Sequence, residues 1–133
     1  MFFYRESPDI PNGMVYKFKQ SGIMSSYLVA FIVSDFKSLT DEKAKYSFTA
    51  WAREEAINQA QYSQEVGPQL VDWFETYTGI DYAFEKIDQV ALPDFAAGAM
   101  ENWGLITYRS VCIILNTSSI KYKSRASSCK NTS

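Results

Sequence analysis

Side chains able to do chemistry are few in this chain, and the absent kinds decide as much as those present. There is no histidine among the 133 residues. Imidazole is the usual general base near neutral pH and the commonest neutral zinc ligand, so Ser-His-Asp and Cys-His arrangements and an H-E-x-x-H zinc helix are all excluded. Cys112 and Cys129 cannot build a four-thiolate site, define no disulfide framework, and are not expected to bridge. No residue is therefore assigned as catalytic or as a metal ligand. What remains is carboxylate and amide chemistry in one stretch, with Lys86, Asp88, Asp94, Glu101 and Asn102 close together and no acidic residue after Glu101. Taken singly, Glu101 reads as a solvated strand residue and Asn102 as a turn or capping amide. Lys86, Asp88 and Asp94 read as pair or turn residues. Such a set can hold a ligand, but nothing in it generates a nucleophile.

The elements that must position these groups are legible from periodicity. Met14–Phe18 alternates like a strand, and Gln20-Ser21-Gly22 reads as a turn. The apolar run Tyr27–Phe36 predicts a strand covered on both faces. Tyr46–Trp51 predicts another, with Lys37–Lys45 as a charged, solvated connection between them. From Glu54 to Tyr77 the apolar positions Ala56, Ala60, Val66, Leu70, Phe74 and Tyr77 recur at mostly helical spacing. Glu54 and Glu55 suit the first turn and Gly79 the C-terminal cap. Gly67-Pro68 should divide or kink that helix, because proline lacks the backbone donor and crowds the preceding turn. Trp73, Phe74 and Tyr77 are expected on its packed face, and Met100 and Trp103 in the core. Beyond Gly79, Tyr82–Leu92 predicts a strand, Pro93-Asp94 a turn and Gly98–Tyr108 a second extended stretch.

Composition bounds the partners. Hydrophobic residues make up 47% and aromatics 16%, which is the make-up of a packed globular protein. A formal net charge of -2 leaves no basic excess for a nucleic-acid backbone, so nucleic acid is excluded as a partner. Met1-Phe2-Phe3-Tyr4 meets Arg5 at once and is too short for a signal peptide, and no apolar stretch approaches the ~20 residues of a membrane span. After Leu115 the chain becomes rich in Ser, Thr and Lys and is expected to be disordered. Asn116-Thr117-Ser118 and Asn131-Thr132-Ser133 fit the N-glycosylation pattern, which matters only in the secretory pathway.

One run carries far more information than its composition. Lys86-Ile87-Asp88-Gln89-Val90-Ala91-Leu92-Pro93-Asp94-Phe95-Ala96-Ala97-Gly98-Ala99-Met100-Glu101-Asn102-Trp103-Gly104-Leu105-Ile106-Thr107-Tyr108-Arg109 resembles the segment through the GAMEN motif of aminopeptidase N-type zinc metallopeptidases. Upstream, Met24–Phe31, Ser34-Asp35-Phe36 and Trp51-Ala52-Arg53 resemble the same family, so the likeness runs from about Met14 to Leu115. It implies an α+β arrangement: residues 1–52 as the carboxyl-terminal strands of an amino-terminal β-sandwich, and residues 53–115 as the start of a thermolysin-like catalytic domain with the GAMEN segment. Residues 116–133 would be a divergent tail. Family members carry a glutamate where this chain has Ser110. Lys123–Lys130 stands where H-E-x-x-H would approach, which fits a shifted reading frame, an alternative exon or a truncation.

The resemblance also implies roles. The family releases amino-terminal residues from peptides with zinc-activated water, so zinc would belong to the complete parent and not to this chain. Ala97, Gly98, Ala99, Met100, Glu101 and Asn102 would form the substrate-binding segment. Glu101 would hold the substrate α-amine by charge-assisted hydrogen bonding, which rejects a blocked amine. Gly98 and Ala99 would let the peptide lie against them as an added strand, and Asn102 would fix the local backbone. Ala97 would leave room beside the first specificity pocket, or is a small filler. The implied partners are peptide amino termini and a complete aminopeptidase subunit. A plasma-membrane or extracellular parent is the expectation. Alone, the chain is expected to be inactive and only marginally folded, with open apolar faces that favour self-association. The alternative is a non-catalytic peptide-binding or regulatory remnant.

Overall fold

The computed structural model describes residues 3–6, 15–41 and 44–113. Strands β1 (Phe3–Glu6) and β2 (Val15–Phe18) form an antiparallel pair. The second sheet has five strands in the order β3-β4-β5-β7-β6: β3 (Lys37–Asp41), β4 (Ser47–Ala52), β5 (Lys86–Leu92), β6 (Ala99–Met100) and β7 (Leu105–Arg109). Its centre is parallel, β4 with β5 and β5 with β7, and its two edges β3 and β6 are antiparallel to their neighbours. Between β4 and β5 runs the long helix α1 (Gln61–Thr78), and a short helix α2 (Ser110–Ile113) follows β7. The architecture is α+β, a mixed sheet with one long helix. Strands from both sides of position 52 share that sheet.

A core of mostly small side chains packs the sheet against the 3-10 turn Ile57–Ala60 and against α2. Ala50, Ala52, Ala60 and Ala91 are all at most 1% exposed and cluster with Ile57 and Ile113. Toward α1, Phe48 is the largest fully buried side chain. Gly67 explains how its ring fits: a methyl at this position would lie 2.6 Å from Phe48 Cε1. The glycine is therefore a packing requirement in the middle of a helix, where its flexibility alone would be a liability. Helix α1 is one uninterrupted element through Pro68, so of the two expected outcomes, division or a kink, division does not occur. Gln64, whose carbonyl the proline cannot serve, turns its side-chain amide onto Phe48 O at 2.7 Å. The helix ends at Gly79, which adopts φ 69° and donates its N–H to Glu75 O at 2.8 Å. Gly67→Ala is expected to lose about 2 kcal/mol despite alanine's better helix propensity, because overpacking a filled core costs roughly 1–3 kcal/mol. A lowered midpoint in urea unfolding checks this.

The C-terminal end of α1 is tied to the sheet by one carboxylate. Glu75 accepts hydrogen bonds from Lys45 Nζ at 2.8 Å, from the Tyr46 hydroxyl, and from the Tyr82 backbone N–H at 2.6 Å. Lys45 also pairs with Asp81 at 3.0 Å. Lys45, Tyr46 and Tyr82 together hold the Glu75 carboxyl down at about 2, below its ordinary 4.5, and Glu75 in turn raises Lys45 and Tyr46. A depressed folded-state pKa stabilises above the unfolded value and is lost as pH falls through the folded one. The advantage of the wild type over Glu75→Gln should therefore be full above pH 4.5 and shrink toward pH 2 in melting curves across that window.

Several expectations are corrected. Tyr27–Phe36 is not a strand: Ser26–Leu28 is a 3-10 turn and the rest is irregular. Only Leu28 is buried, while Phe31 is 78% and Val33 92% exposed. A strand needs a ladder partner, and no described strand pairs with this run. Conversely, Lys37–Asp41 is not a loop but the edge strand β3, with Leu39 packed on the core and Thr40 bonded to Thr49 across the ladder at 3.1 Å. The Trp73, Phe74 and Tyr77 face of α1 is open, each side chain at least 55% exposed, with Trp73 stacked on Tyr77. Trp103, expected in the core, is 43% exposed. Cys112 is disulfide-bonded, contrary to the expectation of unbridged cysteines. Met14, Cys129 and the stretch 116–133 with both glycosylation patterns lie outside the described residues.

Candidate functional site

The stretch 97–102 sits at one edge of the five-stranded sheet. The chain leaves β5 through a turn at Pro93-Asp94, passes beyond β7, forms β6, and returns as β7 between β6 and β5. Ala99 pairs with Tyr108 and Met100 with Thr107, so β6 has a strand on one side only among the described residues. On its other side no described strand pairs with it, the arrangement to which an extended peptide can add as a further strand. Ala97, Ala99 and Glu101 are exposed, Gly98 and Met100 are half-buried, and Asn102 is buried. Glu101 has no ion-pair or hydrogen-bond partner among the described residues, which leaves its carboxylate free for a ligand.

The turn after Glu101 is pinned by three buried contacts. Asn102 donates its amide to Leu28 O at 3.3 Å and accepts from the Thr107 hydroxyl at 3.3 Å, which ties β7 to the Ser26–Leu28 turn. Lys86, only 8% exposed, reaches Gly104 O at 3.0 Å while paired with Asp88. Asp88 in turn accepts from the Trp51 indole at 3.3 Å, and its backbone N–H donates to Gly104 O at 3.2 Å. Gly104 adopts φ 72°, a left-handed conformation that lets the chain reverse here. Before the motif, the Arg109 guanidinium donates to Phe95 O at 2.9 Å and to Ala96 O, and the Arg109 N–H donates to Gly98 O at 2.9 Å. An aromatic file, Tyr46, Tyr82, Phe84 and Trp103, runs edge to face with centroid spacings of 5.4, 5.6 and 5.4 Å and joins the Glu75 latch to this turn. Burial pushes the Tyr82 hydroxyl up to about 12 and raises Tyr108.

Sequence reasoning singled out Glu101 and Asn102 but placed Glu101 in one extended stretch Gly98–Tyr108, which the structure divides into β6 and β7 with a turn between them, and it missed Arg109 and the bond from Lys86 to Gly104. Both act on backbone carbonyls, which leave no mark in the residue types. Asp94 lies in the turn before the motif and joins no described ion pair.

Comparison with known proteins decides the kinship. The model of the peptidase family M1 domain matches residues 62–130, just over half of the chain. The chain belongs to peptidase family M1. It is 42% identical over 120 residues to aminopeptidase N of Canis lupus familiaris, covering 86% of this chain and 12% of that relative. Against endoplasmic reticulum aminopeptidase 1 of Rattus norvegicus it is 45% identical over 106 residues, 79% of this chain and 11% of the relative. Aminopeptidase N of Haemonchus contortus is 46% identical over 94 residues, 70% of this chain and 10% of the relative. The M1 chain thus spans about an eighth of the length of curated relatives of this kind.

The M1 family is zinc-dependent, and the described residues of this M1 chain do not fit that metal. Histidine is absent, and no group of three or more Cys, Asp or Glu among the described residues is placed to hold an ion. No described helix is long and apolar enough to cross a membrane.

Proposed function

We propose that this M1 chain is the part of a zinc aminopeptidase that anchors the substrate's α-amine, carrying no zinc site and performing no hydrolysis by itself. The observation that supports this reading most is the placement of Glu101: an exposed carboxylate with no partner among the described residues, directly after an edge strand, on a turn whose neighbours are pinned by buried polar contacts. A peptide added along β6 would run its backbone against Ala97–Met100 and bring its free amine to Glu101. A charge-assisted contact of this kind rejects an acetylated amine. In this reading the chain joins the end of an amino-terminal β domain to the start of a thermolysin-like catalytic domain, with β3 and β4 on the catalytic side because they share its sheet, and zinc and the base that activates water belong to the complete enzyme. The open faces at Trp73–Tyr77 and Phe31–Val33 support contact with further parts of such an enzyme, with a complete subunit, or with a second copy of the chain.

A second reading, a non-catalytic peptide-capturing remnant, is favoured by the same free carboxylate in a chain without histidine. Incubation with peptides labelled at the carboxyl terminus tests the anchoring shared by both. Free-amine peptide is expected to bind saturably in preference to its acetylated twin and to be recovered intact, with or without added zinc. Dialysed protein should retain no stoichiometric zinc. Equal binding of the two peptides removes the anchoring role, and cleavage or one tightly held zinc per chain removes the inert reading.

A further inference from the structure

Arg109 is placed to do more than continue strand β7. Its guanidinium donates to two adjacent carbonyls, Phe95 O at 2.9 Å and Ala96 O, and its backbone N–H to Gly98 O at 2.9 Å. No described carboxylate pairs with it. A guanidinium is a planar fork of donors, and one that serves adjacent carbonyls fixes the orientation of the peptide planes carrying them. Those planes lead directly into Ala97 and Gly98, and the other end of the stretch is fixed by Asn102 on Leu28 O and by Lys86 on Gly104 O. Only two residues of β6 make ladder pairs. Without the guanidinium, the approach to that short strand would rest on a single backbone bond.

We propose that Arg109 is a positioning residue for peptide binding, which holds the 95–98 approach so that β6 and Glu101 stand ready for an incoming amino terminus. It touches no substrate in this role. This proposal rests on the amine-anchoring reading above. A flexible approach would have to be ordered each time a peptide binds, and the cost of ordering appears as lost affinity.

The test uses the whole 133-residue chain as wild type, Arg109→Ala and Arg109→Lys, with fluorescein-labelled Ala-Ala-Ala-Lys peptides bearing a free or acetylated amino terminus. Arg109→Ala should weaken the free-amine peptide at least fivefold and raise amide hydrogen exchange at residues 97–101 at least tenfold, with exchange in β5 unchanged. Millimolar methylguanidinium should restore much of both, and Arg109→Lys should fall between wild type and Arg109→Ala. Unchanged affinity in Arg109→Ala while the wild type still discriminates against the acetylated peptide overturns the positioning role and leaves the anchoring reading standing. Failure of the wild type to discriminate overturns both. Loss of β5 protection in both variants would make Arg109 a general structural residue and equally overturns the proposal.

Discussion

Asp88→Ala is expected to cost about 1–3 kcal/mol of stability, the usual penalty for leaving a buried polar group without its partner, here an ammonium whose part-buried carboxylate is removed. Lys86 is 8% exposed, and its side chain has two acceptors, the Asp88 carboxylate and Gly104 O. Without Asp88 an ammonium would remain in a site that offers one carbonyl in place of a counter-charge, and the Trp51 indole would lose its acceptor as well. Such a loss is a large share of the ~5–15 kcal/mol by which domains are stable. The pair also lies in the middle of the sheet: β5 carries both residues and bonds to β4 on one side and β7 on the other. The double variant Lys86→Met with Asp88→Leu is expected to recover most of the loss, because replacing a whole buried pair by apolar side chains is close to neutral. Urea unfolding of Asp88→Ala and of the double variant checks this. A double variant no more stable than Asp88→Ala would show that the pair is not the source of the cost.

Glu101→Ala is expected to have the largest functional effect. With Gly98–Arg109 placed in a complete M1 enzyme, it should lower kcat/KM for free-amine substrates roughly ten- to a hundredfold, the equivalent of a charge-assisted contact worth about 1.5–3 kcal/mol. Asn102→Ala should cost less in catalysis and more in stability, since its amide is spent on Leu28 O and Thr107 within the fold. Equal, small effects of both substitutions on kcat/KM would mean that Glu101 does not meet the amine.

How far the sequence could be read depended on where each signal resides. The family was legible because a run as long as Lys86–Arg109 constrains many positions at once. Helix α1 was legible because Val66, Leu70 and Phe74 keep helical spacing, although periodicity did not reveal that Leu70 and Phe74 are each more than half exposed here. The same limit applies to Tyr27–Phe36. Apolar, β-branched residues describe what a segment could pack against, but they do not supply the neighbouring strand that a ladder requires. Strand β3 was hidden for the opposite reason: Leu39 is its only large apolar residue, and an edge strand needs little more. Gly67 looked like a helix breaker because the Phe48 ring that demands it is distant in sequence. The contacts that hold the Glu101 turn were the least legible of all. Arg109 reaches Phe95 and Ala96, and Lys86 reaches Gly104, by way of carbonyl oxygens that every residue possesses.

The claim that Glu101 is an amine anchor on a pinned edge is tested most directly by one ratio, the affinity of the intact chain for a free-amine peptide over that for its acetylated twin, in the wild type and in Glu101→Ala. The account predicts a ratio of at least ten in the wild type that collapses to about one in the variant, with circular dichroism unchanged because Glu101 makes no hydrogen bond or ion pair within the described fold. A ratio near one in the wild type, or a high ratio that survives Glu101→Ala, would contradict it.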